Sequence, residues 1–346
     1  MHQMATITYM RRKAVLAASA LLALSALLSC EKETVEEPAE PKVGLTLVVS
    51  VPETRAAVTP YESDVTSLDL LVFRGGVLDS SERVTGTALT SVTAEVPAGV
   101  PVHWKVVANA PAGTFSSVVT EAGFDSALTY LTDGTASSLV MGASGSVTVQ
   151  QGSEAVRASL DRYACKVSVE SLEVKWLDEL ESPVATLERI VLVNVVGSTP
   201  YTGVPATGSL WYNRMGVDAD LPAYVRDMTV TDYGSRSIGS AVTDVTSPLY
   251  CMPNPTSNND NSANAPEWSE RCTRVAVEIK VDGVSNWYPI SLPSMLCNHH
   301  YVIRRLVVKG PGSDGPDKPV TRDDVSFSVD VLPWTENDIV PVWAGD

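Results

Sequence analysis

LTLVVSVPETRAA, residues 45–57, is the stretch that decides the fold. Its first half places four aliphatic side chains on one face of an extended chain: Leu45, Leu47, Val49 and Val51. Aliphatic residues at every second position predict an amphipathic β-strand that buries one side in a core. Pro52 follows and has no backbone N–H to donate, so we expect the strand to end there.

The polar residues after this strand leave two interpretations open. In the first, residues 45–51 are an ordinary first strand and Arg55 is one more surface residue. In the second, a trypsin-like protease cuts between Arg55 and Ala56, so that residues 44–55 are a removable strand. Four buried aliphatic side chains contribute about 6 to 12 kcal/mol in gross terms, but a cut strand must rebind as a separate peptide and lose the entropy of association. A similar strand from another molecule could then take its place.

The N-terminus has the three parts of a secretion signal. A basic segment, MRRK at 10–13, precedes an apolar run at 14–28 that is too short to be read as a membrane span. The run closes at Cys30, and this ending is similar to the lipobox of bacterial lipoproteins. We therefore expect a signal peptide at 1–29, a lipid on Cys30 and a precursor anchored in the outer membrane. Residues 30–43, rich in glutamate and proline, are expected to form a solvated acidic tether.

The rest of the chain is patterned for β-strands. Valine, threonine and serine are abundant, and aromatic residues make up 6% of the 346 residues. Strand-like apolar runs recur between turn signals, as at 68–73 and, with alternation, at 275–281. A polar break at 150–153 predicts a boundary between an N-terminal domain at 56–155 and a C-terminal domain at 156–346. This pattern is typical of an all-β antiparallel sandwich or barrel.

Charge and cysteine spacing exclude several classes of partner. The formal net charge is −16, which argues against nucleic acid or an anionic membrane surface because neither offers positive charge to meet it. Four cysteines follow Cys30: Cys165, Cys251, Cys272 and Cys297. An exported chain permits disulfides, but no pair has C-x-x-C spacing, which makes metal binding by that route unfavourable. Buried free thiols are slightly favoured over bridges, and both remain open.

No arrangement of residues in the sequence predicts catalysis. Beyond the signal region the histidines are His103, His299 and His300, and the last two point to opposite faces of a strand, which does not favour a metal site. The sequence has no G-x-S-x-G elbow, phosphate loop or H-E-x-x-H motif. We therefore expect no enzyme, no cofactor and no metal.

An ordered set of motifs resembles one family of proteins. After the lipobox, the tether, the first strand and Thr-Arg-Ala come SLDLLVFRGG at 67–76, HWKVVANAP at 103–111, LDRYACKVSVESLEV at 160–174, CNHHYVIRRLVVKGPGS at 297–313 and VSFSVDVLPW at 325–334. The set is similar to the fimbrillins of Bacteroidetes, the type V pilin subunits, along essentially the whole chain.

The resemblance implies a fold and a function. The fold is two tandem transthyretin-like antiparallel β-sandwich domains. The function is a structural subunit of cell-surface fimbriae, polymerised by donor-strand exchange after removal of the first strand at Arg55–Ala56. The implied partners are other copies of the chain, other fimbrial subunits, an Arg-specific protease and ligands on host or bacterial surfaces.

The C-terminal tail is the donor segment under this resemblance. The donor residues are expected to be Ile339, Pro341 and Trp343. The root of the segment is expected to be Val329, Val331 and Trp334. Pro341 removes a backbone N–H, so this piece fits an edge or an unpaired position better than a sheet centre. The alternative is a tail that packs back on its own domain, with Trp334 as an ordinary core residue.

Two other functions remain open at this point. A fimbrial tip or anchor protein would share the fold, but an anchor would keep its first strand and a tip would lack a useful donor tail. A glycan-binding surface lipoprotein would present aromatic residues on loops, and the candidates are Trp211, Tyr212, Trp268, Trp287 and Tyr288.

Overall fold

The computed structural model of the chain describes residues 41–52, 62–153, 155–177, 183–204, 210–321, 324–334 and 340–342. The chain divides into two compact units, Met1–Pro41 and Lys42–Asp346. All of the described strands belong to the second unit. No helix in the described part of the chain is both long and apolar enough to cross a bilayer.

The first half of this unit consists of strands joined by short turns, with one short helix. Its elements are β1 (Lys42–Ser50), β2 (Ser67–Arg74), β3 (Val77–Thr85), β4 (Ser91–Pro97), β5 (Pro101–Ala108), α1 (Glu121–Ser126), β6 (Leu128–Tyr130), a 3₁₀ turn (Leu131–Asp133), β7 (Met141–Thr148), β8 (Val156–Ser159) and β9 (Asp161–Arg162). The Thr120 hydroxyl caps α1 by accepting the Gly123 N–H at 3.0 Å. This helix is short because only Phe124 anchors it in the core.

Two sheets pack face to face in the first half. One has the strand order β4-β1-β8, and the other has the order β3-β2-β5-β7-β9. The inward residues of both sheets form one apolar cluster, in which Leu47, Leu70 and Val106 are each 0% exposed. Burial alternates along β1, β4 and much of β5, as inward and outward residues do in a β-sandwich.

The second half is a second pair of packed sheets. Its elements are β10 (Cys165–Val174), β11 (Ala185–Val193), β12 (Val195–Val196), β13 (Ser198–Pro200), β14 (Trp211–Tyr212), α2 (Ala223–Thr229), β15 (Val230–Ile238), β16 (Thr243–Cys251), β17 (Arg274–Val281), β18 (Val284–Ser291), β19 (His299–Val308), β20 (Val325–Pro333) and β21 (Val340–Val342). The sheets have the orders β16-β10-β19-β20-β21 and β15-β11-β17-β18. A large apolar cluster that includes Val167, Ile190 and Ile303 lies between them.

The all-β sandwich predicted from sequence is confirmed, with one refinement of strand direction. Two of the long pairings are parallel, β1 with β8 and β10 with β19. Parallel neighbours need a long crossover connection rather than a tight turn, so local sequence patterns do not reveal them.

The boundary between two tandem domains stays a prediction. Both β8 and β9 pair with strands of the first half, and the first residue of β8 is the predicted first residue of the C-terminal domain. In addition, β6 of the first half pairs with β13 of the second. The pairing therefore extends the first group of strands to Arg162.

Candidate functional site

The strand predicted to be removable lies in the middle of a sheet. β1 pairs antiparallel with β4, so that Leu45 faces Ala94 and Leu47 faces Val92. On its other side it pairs parallel with β8. The ladder with β4 continues to the residue before β4, where the Val49 N–H donates to the Thr90 carbonyl at 2.9 Å. β1 thus has a ladder partner on both sides.

The apolar face of β1 enters the core of the first sandwich. Leu45, Leu47 and Val49 are 2%, 0% and 6% exposed. Val51 lies just beyond the strand, which ends at Ser50, and it is half-buried against the same cluster. Three fully buried aliphatic side chains correspond to about 5 to 9 kcal/mol of gross hydrophobic stabilisation.

The opposite face of β1 is exposed and partly polar. Val48 is 38% exposed, and the Thr46 hydroxyl meets the Thr93 hydroxyl of β4 at 2.9 Å. The amphipathic pattern predicted for residues 45–51 therefore corresponds to a real difference in burial between the two faces.

The predicted cleavage site follows this strand. Arg55 and Ala56 lie outside the described residues, as does Cys30, the predicted lipidation site. The chain on either side is held by one buried arginine, because Arg162 donates its Nη1 to the Pro52 carbonyl at 3.4 Å and its Nε to the Glu62 carbonyl at 3.4 Å.

The described part of the tail is one short strand, β21. β21 pairs antiparallel with β20 at the edge of the five-stranded sheet, and Pro341 faces Asp330. This edge position is the one predicted from the missing N–H of proline. Ile339 and Trp343 lie outside the described residues. Of the predicted root, Val329 is buried and Val331 is half-buried.

Trp334, at the end of β20, is a buried residue with polar neighbours. It is 1% exposed. The guanidinium of Arg162 lies 4.6 Å from its ring centroid, and the ring of Tyr250 stacks on it at 6.1 Å with an interplanar angle of 20°. A cation over an aromatic face is attracted by the ring quadrupole. The same arginine thus contacts both ends of the loop after β1 and the root of the tail.

A buried carboxylate completes this group of residues. Glu62 is 1% exposed, and its Oε1 accepts a hydrogen bond from Lys166 Nζ at 2.6 Å and another from the Tyr250 hydroxyl. Sequence reasoning missed these residues as a site. The available signal was the presence of two cations, Arg162 and Lys166, in the strand-like run at 160–169.

His300 and the four cysteines after Cys30 have the surroundings of residues with a structural role. The His300 ring Nε2 lies 2.8 Å from the Ser168 hydroxyl. Burial first, and then the charges of Lys166 and Arg304, lower the pKa of His300 to about 3. The four cysteines are free thiols, which agrees with the interpretation that the sequence favoured. Within the described ranges, no three potential metal ligands lie together.

Burial makes the thiols poor nucleophiles. It raises the pKa of three of them: Cys165, Cys272 and Cys297. The thiolate is the reactive form, so a raised pKa lowers the reactivity of these groups.

The aromatic residues considered for glycan binding are mostly in the core. Trp211, Trp287 and Tyr288 are 8%, 7% and 0% exposed. Trp268 is half-buried, with its ring 5.3 Å from that of Trp211. Aromatic rings buried in this way do not present an open stacking platform.

Comparison with known proteins shows which solved structures have a similar fold. No protein-family profile matches the chain, and no curated protein matches it. Among solved structures, a fimbrilin from Porphyromonas gingivalis is similar with a TM-score of 0.59 and 16% identity, over 85% of this chain and 98% of that chain. A candidate cell adhesion protein from Parabacteroides distasonis gives a TM-score of 0.59 at 18% identity, over 86% and 100% of the two chains. A fimbrial assembly protein from the same organism gives 0.51 at 13%, over 88% and 100%.

The chain is therefore an all-β protein built from two pairs of packed sheets, with its first strand inserted in the middle of one sheet. This is the fold of the fimbrillins, and the resemblance predicted from the sequence motifs is confirmed at the level of the fold.

Proposed function

We propose that the protein is a structural subunit of cell-surface fimbriae that polymerises by donor-strand exchange after proteolysis at Arg55–Ala56. The observation that carries this proposal is the place of β1 between β4 and β8, with Leu45, Leu47 and Val49 in the core. Removal of a strand from that place opens an apolar groove flanked by backbone donors and acceptors on both sides. Such a groove is suited to an incoming strand, which supplies both hydrogen bonds and apolar anchors.

The proposed occupant of the groove is the tail of a second copy. Ile339, Pro341 and Trp343 are spaced by two residues, as are the buried residues of β1. The edge position of β21 supports this assignment, because an edge strand gives up only one ladder when it leaves. The shared fold with a fimbrilin supports a non-enzymatic, structural role at the cell surface.

The proposed precursor is a lipoprotein with its lipid on Cys30 and a signal peptide at 1–29. Its partners are other copies of itself, other fimbrial subunits, an Arg-specific protease and, through the lipid, the outer membrane. Intact-mass measurement of protein from the membrane fraction tests this. A mass of a chain beginning at Cys30 with attached acyl groups is expected, and its loss in Cys30→Ser is the control.

Treatment of the purified precursor with an Arg-specific protease tests the proposed assembly. We expect a new N-terminus at Ala56 and ladders of higher order in unheated denaturing gels. Arg55→Ala should remain uncut and monomeric, whereas a chain lacking residues 335–346 should be cut but form no ladders. Ladders of unchanged size and yield from the truncated chain would contradict the role of the tail.

A further inference from the structure

Five buried residues from distant parts of the sequence meet at one point of the fold, which we name the junction cluster. They are Glu62, Arg162, Lys166, Tyr250 and Trp334, and each is at most 4% exposed. Glu62 lies in the segment before β2, and Arg162, Lys166 and Tyr250 lie in β9, β10 and β16. Trp334 directly follows β20. Charged side chains are rarely buried to this extent unless they are paired.

One side of the junction cluster holds the segment that contains the proposed cleavage site. Arg162 donates to the carbonyls of Pro52 and Glu62, both at 3.4 Å. Pro52 lies two residues beyond the end of β1, and Glu62 lies five residues before the start of β2. Arg162 therefore ties the two ends of the segment together through its own guanidinium.

The other side holds the root of the tail. The Trp334 ring is contacted by the guanidinium of Arg162 at 4.6 Å and by Lys166 Nζ at 5.7 Å. The backbone N–H of Trp334 donates to the Asn298 carbonyl at 2.7 Å. The side-chain oxygen of Asn298 in turn accepts a hydrogen bond from the backbone N–H of Arg162 at 3.3 Å. Trp334 is the residue that follows β20 and precedes the tail.

We propose that the junction cluster is a latch that keeps the tail docked while β1 occupies its sheet, and that the departure of β1 releases the tail to act as a donor. This inference rests on the proposed function. When β1 leaves, Pro52 leaves Arg162, and water reaches charges that were buried and paired. Buried ion pairs are stable only while their full set of partners is in place, so the contacts of Trp334 weaken as well.

The coupling must act in both directions. A segment that stabilises the docked form of a second segment is itself stabilised by it to the same extent. Loosening of Trp334 should therefore also loosen β1. A cluster that acted only as local packing would not connect the two ends of the chain in this way.

Hydrogen exchange of the uncut full-length precursor tests the latch without any cleavage. Arg162→Met should raise amide exchange about tenfold or more in both β1 and residues 332–342, a factor that corresponds to about 1.4 kcal/mol. Exchange in β17, in the opposite sheet, should stay unchanged, which shows that the fold is intact. Arg162→Lys, which keeps the charge but loses the planar donor fork, is the milder variant if methionine unfolds the chain.

The chain offers a matched control for this experiment. Arg189 lies over the Trp287 ring at 5.1 Å, as Arg162 lies over the Trp334 ring, and it pairs with the Glu278 carboxylate at 2.5 Å. Its side chain is on β11, away from both segments. Arg189→Met should leave the exchange of β1 and of residues 332–342 unchanged.

A second arm follows the cut wild-type protein at a concentration that keeps it monomeric. Exchange in residues 332–342 should rise once the β1 peptide has dissociated. Continued protection of the tail after the peptide has left, or unchanged exchange in both segments of Arg162→Met and Arg162→Lys, overturns the latch. A precursor that is not cut at Arg55, or that is cut and never forms ladders, contradicts the proposed function instead, and the exchange of the uncut variants still decides the latch.

Discussion

Leu47→Ala is the substitution that tests most directly whether β1 is a core strand. Leu47 is 0% exposed and lies between two ladders, opposite Val92 on one side and Val156 on the other. Replacement of a buried leucine by alanine removes its transfer free energy and leaves a cavity, at a cost of about 2 to 5 kcal/mol. We expect a value in the upper half of this range, because both neighbouring strands are held by pairing and the site has little freedom to collapse.

The neighbouring residue supplies the control. Val48 lies on the other face of the same strand and is 38% exposed, so Val48→Ala should cost about 0.5 kcal/mol or less. Urea denaturation of the two uncut precursors gives the comparison. After cleavage, the same loss should speed dissociation of the strand by about 300-fold or more, since about 1.4 kcal/mol corresponds to a factor of ten. Equal losses of stability in the two variants would refute the placement of this face in the core.

Three further predictions concern the stability of the fold. The pKa of His300 is lowered from 6.5 to about 3, so between these pH values the unfolded chain binds a proton that the folded chain does not. The free energy of unfolding should therefore fall as the pH falls, by up to about 1.4 kcal/mol per pH unit. In His300→Gln this part of the pH dependence should disappear. Asp317 is 0% exposed and pairs with two buried arginines, so Asp317→Asn should lower the free energy of unfolding by about 3 to 5 kcal/mol. Asp314→Asn breaks an exposed pair and should lower it by less than about 1 kcal/mol in the same denaturation assay. A Cβ on Gly312 would lie 2.5 Å from a backbone oxygen, while one on Gly315 would be 3.7 Å from the nearest side-chain atom. Gly312→Ala should therefore lower the melting temperature by several degrees, as expected for a loss of about 1 to 3 kcal/mol in the free energy of unfolding. Gly315→Ala should leave the melting temperature unchanged.

Local features of the fold could be predicted from the sequence because short-range chemistry determines them. The turn at Gly75–Gly76 has positive φ angles of 58° and 81°, and that at Asp282–Gly283 has 49° and 85°. Both join antiparallel neighbours, as a two-residue turn with positive φ requires. The strands on either side of each turn pair with each other.

Long-range pairing could not be predicted in this way. β1 joins β4 and β8, and the second of these lies more than a hundred positions away along the chain. The burial of Arg162 and Lys166 also depends on partners from remote segments, such as Glu62 and Trp334. Charged residues in isolation are read as surface residues, so only the assembled fold shows that these cations are internal.

The position of β1 also constrains how it can be replaced under the proposed function. Among the described strands of its sheet, β4 and β8 pair with β1 and with no other strand. The departure of β1 therefore leaves both β4 and β8 without a ladder partner. Backbone N–H and C=O groups that stay buried and unpaired are costly in free energy. This cost favours an exchange in which the donor enters as β1 leaves. A donor that takes the direction of β1 is antiparallel to β4 and parallel to β8. Its register is set by the alternation of apolar residues, because a shift by one residue would turn Ile339, Pro341 and Trp343 away from the core.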